Sequence, residues 1–167
     1  MTLHFAYGSN MSRSDMAMRC SQAGTLGTAT LAGWRFVIGR DGYASIQRDR
    51  GALVHGVLWR LTPRDLAALN AYENIAGGLY IARTLPVRRP PPGRGEQGAP
   101  AGCGRPLPAL VYVARRPGTG TPRPGYMELV LAAAREWSLP QPYIRALARW
   151  SPSRWHGALA TDTGEAA

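Results

Sequence analysis

The stretch that decides the fold lies close to the amino terminus and reads Phe5-Ala6-Tyr7-Gly8-Ser9-Asn10-Met11. Residues 3–7 alternate apolar with smaller side chains and include two aromatics, a pattern typical of a β-strand. Gly8, Ser9 and Asn10 favour a turn, because glycine tolerates positive φ and the two polar side chains can bond to their own backbone. The stretch therefore predicts a strand that ends in a tight loop.

A helix is predicted directly after this loop, over residues 12–20. Ser12 lies three residues before Asp15, a spacing that caps the start of a helix. A loop in front of a helix presents unpaired backbone N–H groups at the positive end of the helix dipole, which suits a carboxylate or a phosphate. An ordinary strand-to-helix turn is the alternative interpretation of the same residues.

Length and composition indicate one domain with a substantial core. The chain has 167 residues, of which 45% are hydrophobic. We expect a single domain over residues 1–156 and a flexible tail at 157–167. Residues 88–108 are dense in proline, glycine and arginine without apolar periodicity, so they predict a surface loop between two strands.

The sequence carries no sign of export or of membrane insertion. No apolar segment typical of a signal peptide follows Met1, and the longest uninterrupted apolar run, residues 129–134, is too short to cross a bilayer. Cys20 and Cys103 form neither a disulfide framework nor a metal-ligand cluster. We therefore expect a cytoplasmic protein with no membrane partner.

The charge is strongly positive and is carried by arginine alone. The formal net charge is +10, and all 20 basic residues are arginines. The absence of lysine excludes Schiff-base chemistry and a P-loop lysine. The arginines are scattered, without a basic run interleaved with aromatics, which is more typical of a GC-rich genome than of a nucleic-acid-binding protein. The positive field would still favour an anionic small-molecule substrate.

The order of the predicted elements indicates an α+β protein. Strand-like segments fall at residues 3–7, 26–38, 44–46, 53–61, 79–87 and 109–114. Helical segments fall at residues 12–20, 62–73, 124–137 and 143–150. Turns are predicted at residues 41–42 and 49–51, and Gly56 within its strand suggests a bulge or a close backbone approach. This pattern predicts a mixed, mostly antiparallel β-barrel of about six strands with flanking helices.

Metal and nucleophile chemistry are not indicated. His4, His55 and His156 show no metal-ligand spacing, and the two in predicted strands are more typical of packed or solvent-facing histidines. Ser9 lies outside a nucleophile-elbow motif, and Cys20 has no obvious activator. We expect no metal and no cofactor.

Glu73 is the carboxylate that local structure does not explain. Asp15 and Asp65 are accounted for as helix-start residues, and the other acids fall in turns, the loop, the tail or the polar face of a late helix. Glu73 ends a predicted helix just before a Gly-Gly break, where the helix dipole disfavours a negative charge. Burial there would raise its pKa toward that of a general base. A solvated helix-end glutamate is the alternative.

The opening stretch resembles the Y-G-S-N loop of the gamma-glutamylcyclotransferase (AIG2-like) family. The resemblance continues in order over about residues 3–147. The matching segments are Ala44-Ser45-Ile46, Gly56-Val57-Leu58-Trp59, Leu69 through Glu73 with Gly78 and Tyr80, and Pro124 and Tyr126 with the helix that leads to Leu139-Pro140. Departures from the family pattern fall at Asn70, Asn74, Gly125 and Ala132.

The resemblance implies a barrel with flanking helices and a cofactor-independent enzyme. The implied reaction is intramolecular aminolysis of a γ-glutamyl amide or peptide, which releases 5-oxoproline and a free amine or amino acid. It implies that Glu73 is the general acid/base. The implied substrate-binding residues are Tyr7, Gly8, Ser9, Asn10, Met11, Tyr80 and Tyr126.

Other functions on the same scaffold stay open at this point. One is a non-catalytic binding module, and another is an enzyme that removes a γ-glutamyl protecting group in a biosynthetic pathway. The sequence is compatible with a monomer or a homodimer.

Overall fold

The structure, a computed structural model, describes residues 1–90, 104–116 and 118–151. Its strands are β1 (Thr2–Ala6), β2 (Gly24–Ile38), β3 (Ala44–Leu61), β4 (Tyr80–Arg88) and β5 (Pro106–Ala114). Its helices are α1 (Arg13–Arg19), α2 (Pro63–Tyr72), α3 (Tyr126–Glu136) and α4 (Gln141–Ala148). Cys103, His156, most of the predicted loop at 88–108 and the predicted tail lie outside the described residues.

The five strands close into a barrel in the order β1-β3-β2-β4-β5. Every neighbouring pair is antiparallel except β1 and β5, which run parallel and meet at His4 and Leu110. The predicted mixed, mostly antiparallel barrel with flanking helices is therefore confirmed. β1 lies between β3 and β5, so the loop that follows it opens at one rim of the barrel.

The strand count is five rather than about six, because one predicted turn lies inside a strand. Residues 49–51 were expected to separate two strands, but both belong to β3. Along the β2–β3 ladder Ala32 pairs with Leu53 and Trp34 pairs with Arg48, so residues 49–52 bulge out opposite Gly33. Gly33 adopts a φ of 78° at this point. The polar residues therefore mark an irregularity in a continuous ladder, as β-bulges do.

Close approach between β1 and β3 requires a glycine at position 56. A Cβ at Gly56 would lie 2.2 Å from the carbonyl oxygen of Ala6 and 2.8 Å from the ring of Phe5. Both distances are shorter than van der Waals contact, so a side chain here would push the two strands apart. This explains the glycine as a site of close backbone approach.

Two predicted helix caps are present. The Ser12 hydroxyl accepts a hydrogen bond from the Asp15 N–H at 3.2 Å at the start of α1. Thr62 and Asp65 form a reciprocal capping box at the start of α2, with Pro63 in the first helical turn. In the described part of the chain, no helix is long and apolar enough to span a membrane.

Candidate functional site

The loop after β1 forms a short 3₁₀ turn over Ser9–Met11. Gly8 precedes it with a φ of −119°, so the positive φ suggested by the sequence does not occur. Glycine is needed for space instead. A Cβ on Gly8 would lie 2.9 Å from both the Ala44 Cβ and the Tyr126 hydroxyl. The loop is therefore packed directly against the start of β3 and the start of α3.

Two tryptophans fix the loop through its carbonyl groups. The Trp59 indole N–H donates to the Asn10 carbonyl at 3.0 Å, and the Trp137 indole N–H donates to the Met11 carbonyl at 2.7 Å. The two rings meet edge to face with centroids 5.9 Å apart. Both indoles are buried, so the loop is anchored by rigid donors from β3 and from the end of α3. The sequence analysis did not assign either tryptophan to the site.

The loop forms one wall of a cavity of about 190 Å³. Of the residues predicted for the site, the cavity brings together Tyr7, Gly8, Ser9, Asn10, Glu73, Tyr80 and Tyr126. It is also lined by His4, Phe5, Ala6, Tyr43, Ala44, Tyr72, Leu79 and Tyr112. Met11 does not line it.

Met11 belongs to the core and does not face the cavity. Its side chain is fully buried, and its N–H donates to the Gly8 carbonyl at 3.0 Å. Because its carbonyl is also occupied by Trp137, neither backbone polar group of Met11 is available to a ligand. The prediction that Met11 contacts the substrate therefore has no support in this geometry.

Glu73 lies at the end of α2 and is 9% exposed. Its Oε1 accepts a hydrogen bond from the Asn10 side-chain amide at 2.6 Å. Burial raises the pKa of Glu73 to about 7, although the Asn10 hydrogen bond and the positive charge of Arg19 oppose the rise. A carboxyl with this pKa can both accept and release a proton near neutral pH.

Arg19 determines how Asn10 faces Glu73. Its guanidinium donates to the Asn10 Oδ1 at 2.8 Å and to the Asp15 carboxylate at 3.2 Å. The guanidinium also stacks 3.9 Å from the centre of the Tyr72 ring. Because the Asn10 oxygen is directed to Arg19, the amide NH₂ is directed to Glu73. The four-residue spacing of Asp15 and Arg19 on one helix was the only sequence signal for this arrangement.

Four tyrosine hydroxyls surround the cavity as neutral groups. Tyr7 donates to the Tyr112 carbonyl, Tyr80 donates to the Ala44 carbonyl at 2.7 Å, and Tyr112 donates to the Asn70 side chain at 2.7 Å. The Tyr126 hydroxyl accepts from the Ala44 N–H at 3.1 Å. Burial raises the pKa of each, in Tyr126 to about 12. The cavity wall therefore carries hydroxyl dipoles and a single carboxylate.

Two departures from the family pattern have local explanations. Asn70 stands at a usual Asp position, and its oxygen accepts the Tyr112 hydrogen bond without adding a second charge near Glu73. Asn74 stands where glycine is common and adopts a φ of 50°, a conformation that asparagine tolerates better than most residues. Its side chain accepts the Gly77 N–H at 3.1 Å. Both substitutions therefore leave the position of Glu73 intact.

His4 and Cys20 are packed groups. His4 lies at the cavity wall with its Nδ1 3.2 Å from the Leu110 carbonyl, and burial lowers its pKa to about 4, so it is neutral. The Cys20 thiol donates to the Asp65 carbonyl at 3.5 Å, and burial raises its pKa. Among the described residues, no three His, Cys, Asp or Glu side chains are grouped so as to hold a metal ion.

Comparisons with known proteins agree with this architecture. The family model described as gamma-glutamyl cyclotransferase, AIG2-like, matches residues 4–138. Gamma-glutamylcyclotransferases of Mus musculus and Homo sapiens are each 24% identical to the chain over 96% of its length and 84% of their own.

Solved structures show the same fold. One described as a gamma-glutamyl cyclotransferase superposes with a TM-score of 0.77 at 22% identity, covering 93% of this chain and 91% of that one. YkqA from Bacillus subtilis superposes with a TM-score of 0.67 at 24% identity, covering 89% of this chain and 53% of that one. Since the family match covers most of the sequence, the chain belongs to the gamma-glutamyl cyclotransferase, AIG2-like family.

Proposed function

We propose that the protein is a gamma-glutamyl cyclotransferase that converts a γ-glutamyl amide or peptide into 5-oxoproline and a free amine or amino acid. The observation that carries this proposal is the placement of Glu73. It is the carboxylate that lines the cavity in the described structure, it faces the loop after β1, and its pKa lies at about 7. The names of the curated relatives support the same activity.

Glu73 would act as both general base and general acid. Its carboxylate accepts a proton from the substrate's α-ammonium, and the freed amine attacks the γ-carbonyl carbon. A carbon–nitrogen bond forms within the ring, the original amide bond breaks, and Glu73 returns a proton to the departing nitrogen. Oε1 is held by Asn10, which leaves Oε2 for this proton transfer. A pKa near neutrality suits both steps.

The loop after β1 would hold the negative charges of the reaction. The backbone N–H groups of Gly8, Ser9 and Asn10 lie at the cavity wall, and the Met11 N–H is already used within the loop. Such amides can bind the α-carboxylate or stabilise the oxyanion that develops on the γ-carbonyl. The tyrosine hydroxyls at the same wall would orient the γ-glutamyl group.

Ring closure within one molecule explains why this chemistry can proceed without a cofactor. The nucleophile and the electrophile belong to the same substrate, so the protein has to fold the substrate into a near-attack shape. The cavity of about 190 Å³ is smaller than the roughly 300–1,000 Å³ typical of pockets for larger ligands. We infer that it encloses the γ-glutamyl group and leaves the departing amine toward the opening.

A substrate panel tests the proposal. The purified protein is incubated with γ-glutamyl dipeptides, γ-glutamyl amines and matched α-glutamyl dipeptides, and 5-oxoproline is measured. We expect release from at least one γ-glutamyl compound and from no α-glutamyl compound, since only the γ-amide can close the five-membered ring with the free α-amine. A folded protein that releases no 5-oxoproline from any γ-glutamyl compound would contradict the proposal.

A further inference from the structure

A second cleft lies on the far side of the strands that form the catalytic cavity. β2 and β4 pair only at Thr30 and Arg88, so the β2–β3 and β4–β5 hairpins separate toward their other ends. The opening between them is a cleft of about 340 Å³. It is larger than the cavity that holds Glu73 and contains none of the residues discussed above as catalytic or substrate-binding.

The cleft and the cavity share one wall. Successive residues of a strand point to opposite faces of a sheet, and three strands contribute a residue to each side. The cavity side carries Ala44, Tyr80 and Tyr112, and the cleft side carries their neighbours Ser45, Ile81 and Val113. The Ser45 hydroxyl accepts the Ala114 N–H at 3.0 Å, which joins β3 to β5 along this wall.

The cleft concentrates positive charge without any acid. Four arginines line it, namely Arg48, Arg83, Arg115 and Arg116, and no aspartate or glutamate does. In the described part of the chain none of the four forms a salt bridge, since the ion pairs there are Arg13 with Glu136 and Arg19 with Asp15. Four guanidinium groups that converge on one opening favour a ligand with more than one negative charge.

The cleft also has an apolar surface. Trp34, Val37, Ile46, Ile81 and Val113 contribute to its lining. The Arg48 guanidinium stacks 4.3 Å from the centre of the Trp34 ring, which shows that this wall accepts a planar cation–π partner. A ligand that fits both features has an anionic group for the arginines and a planar, weakly polar body for the tryptophan side.

We propose that this cleft binds a phosphate-bearing small molecule with a planar body, of the nucleoside diphosphate class. Guanidinium forks match the oxygens of phosphate bidentately, and a volume of about 340 Å³ lies in the range of small-ligand sites. The proposal is independent of the cyclotransferase reaction. Because the wall is shared, the bound molecule lies directly behind Tyr80 and Ala44 of the catalytic cavity.

Calorimetric titration with three probes tests the proposal. ADP supplies the diphosphate and the planar base, inorganic pyrophosphate supplies the charge alone, and adenosine supplies the base alone. We expect ADP to bind, pyrophosphate to bind more weakly and adenosine to show no binding. The double variant Arg83→Gln/Arg116→Gln should weaken ADP binding about tenfold or more, since it removes two charge-assisted contacts.

A matched variant separates a built site from diffuse charge. Arg60→Gln/Arg145→Gln removes the same charge from two exposed arginines that do not line the cleft, and it should leave ADP binding within about twofold of the wild type. Glu73→Gln should also bind ADP normally, which separates this cleft from the catalytic cavity. Absence of ADP binding, or equal loss in both arginine pairs, would overturn the proposal. Tighter binding of a single-stranded oligonucleotide with equal loss in both pairs would do the same.

Discussion

The two ends of α2 each carry a buried carboxylate, and the two carboxylates have opposite chemistry. Asp65 is 2% exposed and Glu73 is 9% exposed. Burial alone would raise the pKa of Asp65, but donors from Thr62 and Gln22 outweigh burial and lower it. Glu73 receives a single side-chain hydrogen bond, from Asn10, and burial raises its pKa to about 7.

The difference shows that burial alone does not define a functional acid. At the amino-terminal end of α2, the helix dipole and the capping groups stabilise the negative charge. At the carboxyl-terminal end the dipole opposes the charge, and one carboxylate oxygen is left for a ligand. A carboxylate saturated with donors stabilises the fold, whereas one with a free oxygen and a raised pKa is available for proton transfer.

Replacing the poised carboxylate should have the largest effect. We expect Glu73→Gln to lower 5-oxoproline release by roughly 10²–10⁴-fold, the usual cost of losing a general acid/base. The variant should remain folded. Because the folded-state pKa is raised, wild-type stability falls as pH rises from 4.5 through 7, by up to about 3 kcal/mol. At pH 8, urea unfolding should therefore show the variant to be at least as stable as the wild type.

Glu128→Gln provides the control, since Glu128 is exposed on α3. It should change neither the rate nor the stability appreciably. Near wild-type 5-oxoproline release by Glu73→Gln would remove Glu73 from the mechanism and end the functional half of the comparison.

Replacing the structural carboxylate should affect stability and leave catalysis intact. Asp65→Asn removes the charge and places an amide against the Thr62 donors, so we expect a loss of about 2 kcal/mol in unfolding free energy. The rate per folded molecule should stay close to wild type, because the cavity lining does not include Asp65. Urea titration and active-fraction-corrected kinetics measure the two quantities. A large fall in rate with unchanged stability would reverse the roles assigned to the two ends.

Loosening the arrangement around Glu73 should have the smallest effect, a change in pH dependence. Wild-type kcat/KM should rise with pH to half its plateau near pH 7, since the base form of Glu73 is required. Arg19→Met removes a cation and frees the Asn10 amide, so we expect the midpoint to move upward by up to about one pH unit.

Arg19→Lys should restore part of this change, because it retains the charge without the two-pronged hydrogen bonding. Arg145→Met, on the exposed side of α4, is the control and should leave the midpoint unchanged. An unaltered midpoint in Arg19→Met would show that Arg19 supports the fold without tuning Glu73.

Features that depend on neighbouring residues could be predicted from the sequence. The caps at Ser12 and Thr62 rest on side chains three residues apart, and the structure contains both. The position of Glu73 at a helix end followed from the same local pattern. The barrel class and the inclusion of Tyr80 and Tyr126 followed from the family resemblance, which orders distant segments that periodicity alone cannot connect.

Features that depend on contacts between distant segments could not be predicted. Trp59 and Trp137 reach the loop across 49 and 126 positions of sequence, and nothing beside either residue indicates that contact. The same holds for Tyr112 and His4 at the cavity wall. The continuity of β3 was missed because Asp49 and Gly51 favour turns locally, while pairing with β2 on both sides keeps the strand extended.

The anchoring of Met11 by Trp137 has a consequence for how the molecule matures. β1 is the first strand to leave the ribosome, yet its parallel neighbour β5 and the indole that holds its loop are synthesised much later. Contacts of such long sequence separation form late and slow the search for the native state. The nascent chain therefore acquires its reaction centre only after residue 137 has emerged, so a chain stopped before that point has a barrel wall without its clamp.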